Sequence, residues 1–313
     1  MMTGFERYTK KTRRVAFLEE MNEVVPWGEL CALIEPHYPK PGGGRPPIGV
    51  ERMLRIYFLQ QWFNLSDPGV EEALYDSVAL RQFVGIDLGR EPAPDETTVC
   101  KFRHLLEKHT LGEKMLEAVN VHLEKKGIRI SSGTIVDATI LQAPGSTKNR
   151  EQQRDPEMHQ TRKGKDWYFG MKAHVGVDSK SKMIHTAVAT AAHVADSVVL
   201  PELLHGEETR VWGDGAYQGQ TKVIHQSAPR ARDFTQRRCR YKDWVDEVQR
   251  AKNRNKSKVR SKVEHVFGVM KLKFGLVKVR YRGLKKNANR LFATCALVNL
   301  FISRKKLFRL VTV

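Results

Sequence analysis

Past Glu264 this chain carries no acidic residue, while twelve Lys and Arg follow. A solvated surface normally mixes both signs, so a stretch this one-sided points to a partner rather than to solubility. Cysteine is scarce as well. Cys31, Cys100, Cys239 and Cys295 are scattered with no Cys-x-x-Cys pair, which argues against a cysteine-spaced zinc site and against a disulfide framework. Free thiols in a reducing compartment are the expectation. No apolar run reaches the ~18 residues of a membrane span. The nearest, residues 291–302, contains Thr294 and Asn299 and reads as a buried C-terminal helix. The first 20 residues are polar and basic, without the apolar centre of a signal peptide. No membrane association and a cytoplasmic location are therefore expected.

The 313 residues suggest two domains, or one large domain with an appendage. Hydrophobic residues make up 41%, enough for a packed core, and the net charge is +19. That charge is unevenly placed. Residues 1–130 hold 18 Lys/Arg against 19 Asp/Glu, whereas residues 131–313 hold 36 against 16. A polyanion is the fitting partner, nucleic acid first, with an anionic membrane surface as the competitor.

Residues 1–130 read as nearly all helix. Apolar residues recur at helical spacing over 51–64 (Met53, Leu54, Tyr57, Phe58, Trp62). Ser66-Asp67-Pro68 is a helix start, with a cap, a proline in the first turn and acids behind it. Further helices are expected over 80–84, from Pro94-Asp95 through Leu106, and over 111–126. The pattern then changes. Residues 134–141 read as a strand, 145–165 as a polar loop, and 174–178 with 183–189 as a hairpin. A helix over 196–204, strands at 210–214 and 232–235, and a long basic helix over 247–274, open to a break near 253–257, complete the reading. A mixed sheet beside a long helix is an α/β arrangement.

Three carboxylates sit in three different settings. Asp137 lies inside an apolar strand, where an unpaired carboxylate is costly. Asp214 ends the run Val211-Trp212-Gly213. Glu264 lies on the basic helix, beside the apolar stripe Val263, Phe267, Met270 and Phe274. Arg260, Glu264, Gly268 and Lys271 form a parallel stripe at the same spacing. If the three acids converge, they make an oxygen-rich site for a hard divalent cation such as Mg²⁺, with basic neighbours to receive phosphates. Each also has a plainer explanation: a hydrogen-bonded strand Asp, a turn Asp between glycines, and an i,i+4 Arg–Glu surface pair. Gly213 to Gly219 is not a dinucleotide loop, because its third glycine is displaced and an Asp there would repel a pyrophosphate. His174, His185, His193, His205 and His265 lack tight ligand spacing and read as structural.

Several segments, taken in order, resemble the DDE transposases of bacterial insertion sequences, in particular the insertion sequence five family. They are Leu54 to Trp62 with Leu65-Ser66-Asp67, Thr97-Thr98 with Phe102 to Glu107, and Val136-Asp137-Ala138-Thr139. Ser146 to Asn149, Trp167 to His174, Gly213 to Gly219 and Val263 to Phe267 follow. Many relatives carry Tyr-x2-Arg-x3-Glu-x6-Lys around the catalytic Glu. Arg260, Glu264 and Lys271 match it, and Ser257 stands at the Tyr position. The resemblance implies a ribonuclease H-like catalytic domain over 131–313, preceded by a helical, helix-turn-helix-like DNA-binding domain over 1–130. It implies that Asp137, Asp214 and Glu264 hold two Mg²⁺ ions, for which Mn²⁺ can substitute. Lys271 belongs with them at the catalytic site, and Arg260, Lys271, Lys172 and Lys262 are the candidate DNA contacts. Double-stranded DNA is the implied partner, bound by at least a homodimer, with no nucleotide cofactor. A structure-specific nuclease of the same fold and a catalytically silent DNA-binding protein are the alternatives.

Overall fold

The computed structural model describes residues 10–42, 46–148, 150 and 152–311. Residues 43–45, within the sequence Pro41 to Pro47 whose glycines and prolines read as a loop, and Asn149 of the Ser146 to Asn149 segment lie outside them.

Among the described residues seven α-helices come first: α1 (Arg13–Val24), α2 (Trp27–Ile34), α3 (Val50–Phe63), α4 (Asp67–Asp76), α5 (Val78–Val84), α6 (Glu96–Lys108) and α7 (Leu111–Lys125). Their ends are set locally. The Gly69 amide donates to Ser66 Oγ at 3.0 Å and the Thr98 amide to Asp95 Oδ1 at 2.7 Å, satisfying first-turn donors that the helix leaves free.

The sheet follows: β1 (Gly133–Gln142), β2 (His159–Lys163), β3 (Asp166–Asp178), β4 (Ile184–Ala191), β5 (Arg210–Trp212) and β6 (Arg232–Asp233). β3 pairs antiparallel with β1 on one edge, and with β2 and β4 in succession on the other. β5 pairs parallel with β1, and β6 parallel with β5. The order β4-β3-β1-β5-β6, three antiparallel strands followed by two parallel to the central one, is the ribonuclease H-like topology. Short α8 (Asp196–Val199) and α9 (Thr221–Ser227) flank it. Last come α10 (Glu247–Gly268), which runs on into a π turn (Val269–Lys273), and α11 (Leu284–Val311).

The expected polar loop over 145–165 contains β2. That strand is largely exposed on both faces, so no apolar alternation marks it, and backbone pairing with β3 alone makes it a strand. The 196–204 helix is one α-turn followed by a 3₁₀ turn, Leu200–Leu203, with Pro201 near its start. α10 has no break at 253–257.

Val263, Val266 and Met270 bury completely or nearly so against the sheet, each such side chain being worth roughly 1.5–3 kcal/mol. Phe267 is only partly buried. α11 packs along α7, α1 and β4 and ties the helical part to the sheet. Its buried Asn299 accepts from the Ile184 amide and donates to the Ile184 carbonyl, both at 2.8 Å, and donates to Asn120 Oδ1 at 2.7 Å. Among the described residues no helix is long and apolar enough to cross a membrane.

Candidate active site

The β1–β5 register places the first two carboxylates. Ile135 pairs with Trp212, and two residues further along each chain stand Asp137 and Asp214. Gly213 is required at the intervening step, because a Cβ there would come within 2.9 Å of the Tyr217 ring. Asp214 also accepts from the Ala216 amide at 2.8 Å, so it caps a turn and faces the site at once. α10 crosses the sheet so that Arg260 donates to Asp137 Oδ2 at 2.8 Å and to Glu264 Oε1 at 3.1 Å. Asp137, Asp214 and Glu264 thereby line one cleft of about 730 Å³.

The same cleft is lined by Arg260, Lys271 and Lys172, and by Arg162 and Lys163 from the tip of the β2–β3 hairpin. Lys271 lies in the π turn, a local irregularity that recurs at functional sites. Lys172 donates to Asp196 Oδ1 and to the Val194 carbonyl, both at 2.8 Å. Lys262 does not reach the cleft. Two residues from Glu264 on a helix means about 200° of rotation, and its ammonium donates to the Ser179 carbonyl at 2.5 Å instead. Ser257 accepts from Gln236 Nε2 at 2.7 Å, while the Gln236 amide donates to the Gly213 carbonyl at 3.0 Å. The small hydroxyl thus steadies the segment beside Asp214.

Burial pushes the Asp137 carboxyl up to about 6; the Ala138 amide and Arg260 hold it lower, and Asp214 and Asp196 add repulsion. Glu264 is open to solvent, its side chain 61% exposed. Burial, with the Lys163 charge, lowers the Lys271 ammonium.

Two features had no signal in the sequence. Asp196, at the start of α8, is a fourth acid in the cleft. His185 and His205, 20 residues apart, come together with Glu208 so that one ligand atom of each lies within 4.8 Å of the others. This group sits near the start of β1, where Thr134 donates to Glu208 at 3.0 Å. The Glu207 amide donates to His205 Nδ1 at 3.2 Å, which leaves the ring proton on Nε2, facing Glu208 at 3.3 Å. Hydrogen bonds alone account for that arrangement.

A solved piggyBac transposase synaptic complex with hairpin DNA is similar to this chain, at 10% identity over 99% of this chain and 80% of that one, with a TM-score of 0.49. The family model described as Transposase domain matches residues 6–105. The one described as Transposase DDE domain matches residues 129–300, more than half of the chain and the whole of the sheet and α10. By that match the chain belongs to the DDE transposases.

Proposed function

We propose that this chain is the DNA transposase of an insertion sequence of the five family, cutting at the ends of its element and joining them to target DNA. The observation that carries the reading is the convergence of Asp137, Asp214 and Glu264, from two strands and a helix, in one cleft of a strongly basic half-chain. The donor set fits hard divalent cations, since every candidate ligand atom is a carboxylate oxygen and Asp137 is a largely shielded acid, 13% exposed, whose burial outweighs the Ala138 amide and Arg260 that offset it. Asp137, Asp214 and Glu264 would hold Mg²⁺, two ions, with Mn²⁺ able to substitute. Ions bound there would polarise the scissile phosphodiester and ease deprotonation of the attacking hydroxyl.

The chain's own groups do the positioning. Lys271, Lys172 and Arg260 present cations to the phosphates flanking the scissile bond, and Lys163 and Arg162 extend that surface along the β2–β3 hairpin. Arg260 also fixes the Asp137 and Glu264 carboxylates relative to one another. Lys262, tied to Ser179, contributes only to the general positive field. No nucleotide cofactor is needed, because strand transfer exchanges one phosphodiester for another. Residues 1–130 supply helix-turn-helix-like recognition of the terminal repeats, and residues 131–313 supply chemistry and most non-specific affinity. The working form is a homodimer on double-stranded DNA in the cytoplasm, associated with the nucleoid.

The test is incubation of the full chain with duplexes bearing the inverted repeats that flank its gene, with Mg²⁺ and a target plasmid. Cleaved ends joined to the plasmid support the reading. Cleavage without joining leaves a nuclease, and neither product leaves a DNA-binding protein.

A further inference from the structure

Asp196 is a carboxylate that the three-acid pattern leaves out, yet it lines the same cleft as Asp137, Asp214 and Glu264. Its surroundings are unusual. Lys172 donates to Oδ1 at 2.8 Å. His174, two residues along β3 and so on the same face, has its Nδ1 3.9 Å from that oxygen, beyond hydrogen-bonding range. The other ring nitrogen of His174 is engaged with Thr190 Oγ1 at 2.8 Å. His174 is fully buried and its Nδ1 has no hydrogen-bond partner among the described residues; the hydroxyl of Tyr217, also fully buried, has none among them either. Tyr217 follows Asp214 in the turn, and Asp196, Asp137 and Asp214 all act on its hydroxyl through space.

Buried polar atoms are nearly always satisfied, and each exception calls for an explanation. A structural ion pair accounts for Lys172 and Asp196. It does not account for two unpartnered buried groups beside the same carboxylates. Among the described residues Asp137 repeats the arrangement: a shielded acid with one basic partner, Arg260, whose Nε has no hydrogen-bond partner there either. In both cases the paired cation also faces the cleft.

We propose that Asp196 is a fourth carboxylate of the divalent-cation site, and that Lys172 neutralises it only until the cation enters, then passes to a DNA phosphate. This rests on the reading of the cleft given above. All the donors are oxygens, so the cation is a hard one, Mg²⁺ or Mn²⁺. The Tyr217 hydroxyl and the His174 Nδ1–H are outer donors that orient the carboxylates around it, as such groups do at metal sites generally.

The experiment measures Mn²⁺ binding to the full chain without DNA, by titration with electron paramagnetic resonance detection. It compares the parent with Asp137→Asn, Asp196→Asn and Lys172→Met, each checked for fold by circular dichroism. Asp196→Asn is expected to weaken Mn²⁺ roughly tenfold or more, while Lys172→Met raises the affinity, because a competing cation is gone. Opposite responses at the two ends of one ion pair are what a merely structural pair cannot give. If Asp196→Asn binds Mn²⁺ like the parent while Asp137→Asn does not, the fourth carboxylate is wrong and the three-acid site stands. If Asp137→Asn also binds like the parent, the metal-site reading itself fails. Should Asp196→Asn not fold, Lys172→Met decides: unchanged or weakened Mn²⁺ binding overturns the proposal, and tighter binding supports it.

Discussion

Arg260 bridges Asp137 and Glu264, donating to the first at 2.8 Å and to the second at 3.1 Å. One guanidinium thus fastens the long basic helix to the central strand through two of the three candidate ligands. Glu264 alone would be a weak, solvent-screened partner at 61% exposure. Asp137, with its side chain 13% exposed, is the stronger attachment.

Replacing Arg260 with Ala leaves Asp137 without its charged partner. A lost hydrogen-bonded partner at a buried acceptor costs about 1–3 kcal/mol, reduced here because Asp137 can take up a proton instead. A lower melting temperature and a loss of end cleavage are both expected. Arg260→Lys should not restore cleavage, since one ammonium cannot reproduce a planar fork that reaches two carboxylates. Full activity in the Lys variant would show that only charge is needed.

Lys271 behaves differently. It lines the cleft and makes no ion pair among the described residues, and its ammonium is already disfavoured by burial and by Lys163. Lys271→Ala is therefore expected to lower the cleavage rate tenfold or more, roughly the loss of one charge-assisted contact, while melting temperature stays level or rises. Calorimetry beside a single-turnover cleavage assay checks this; a falling melting temperature with an unchanged rate would make Lys271 structural.

Acid sensitivity of the fold has a local source in His185. Burial, then the His205 charge, push its pKa down to about 3, against a smaller upward pull from Asp178. Thr134, Thr186 and Glu208 complete its surroundings. In the unfolded chain the group titrates near ~6.5. Between that value and about 3 the unfolded state binds more protons, so the stability from neutral His185 is complete above ~6.5 and is lost as pH falls through this window. His185→Gln should flatten the decline in melting temperature between pH 7 and 5, and parallel curves for the two proteins would contradict it.

The elements carrying the three carboxylates were legible because each had a local pattern: an apolar strand, a glycine-flanked strand end, and a helix with an apolar stripe. Their convergence was not, since it depends on the β1–β5 register and on the crossing of α10, which no local spacing encodes. That Lys262 lies away from the cleft follows from helix spacing alone, since it is on the opposite side of the helix from Glu264. Lys172, a candidate phosphate contact by sequence, lies in the cleft and is bonded to Asp196. Asp196 gave no signal beyond a helix start, and β2 none at all, because exposed polar strands lack the alternation that marks buried ones.

The most direct measurement is end cleavage by the full chain and by Asp137→Asn, Asp214→Asn and Glu264→Gln, with Mg²⁺ and DNA at concentrations where all four bind the duplex equally. Product is expected from the parent alone, none when Mg²⁺ is replaced by EDTA, and unchanged duplex binding in every variant, because the phosphate contacts come from Lys and Arg. Parent-like cleavage by any one of the three variants would contradict the assignment of that carboxylate, and cleavage by all three would remove the site.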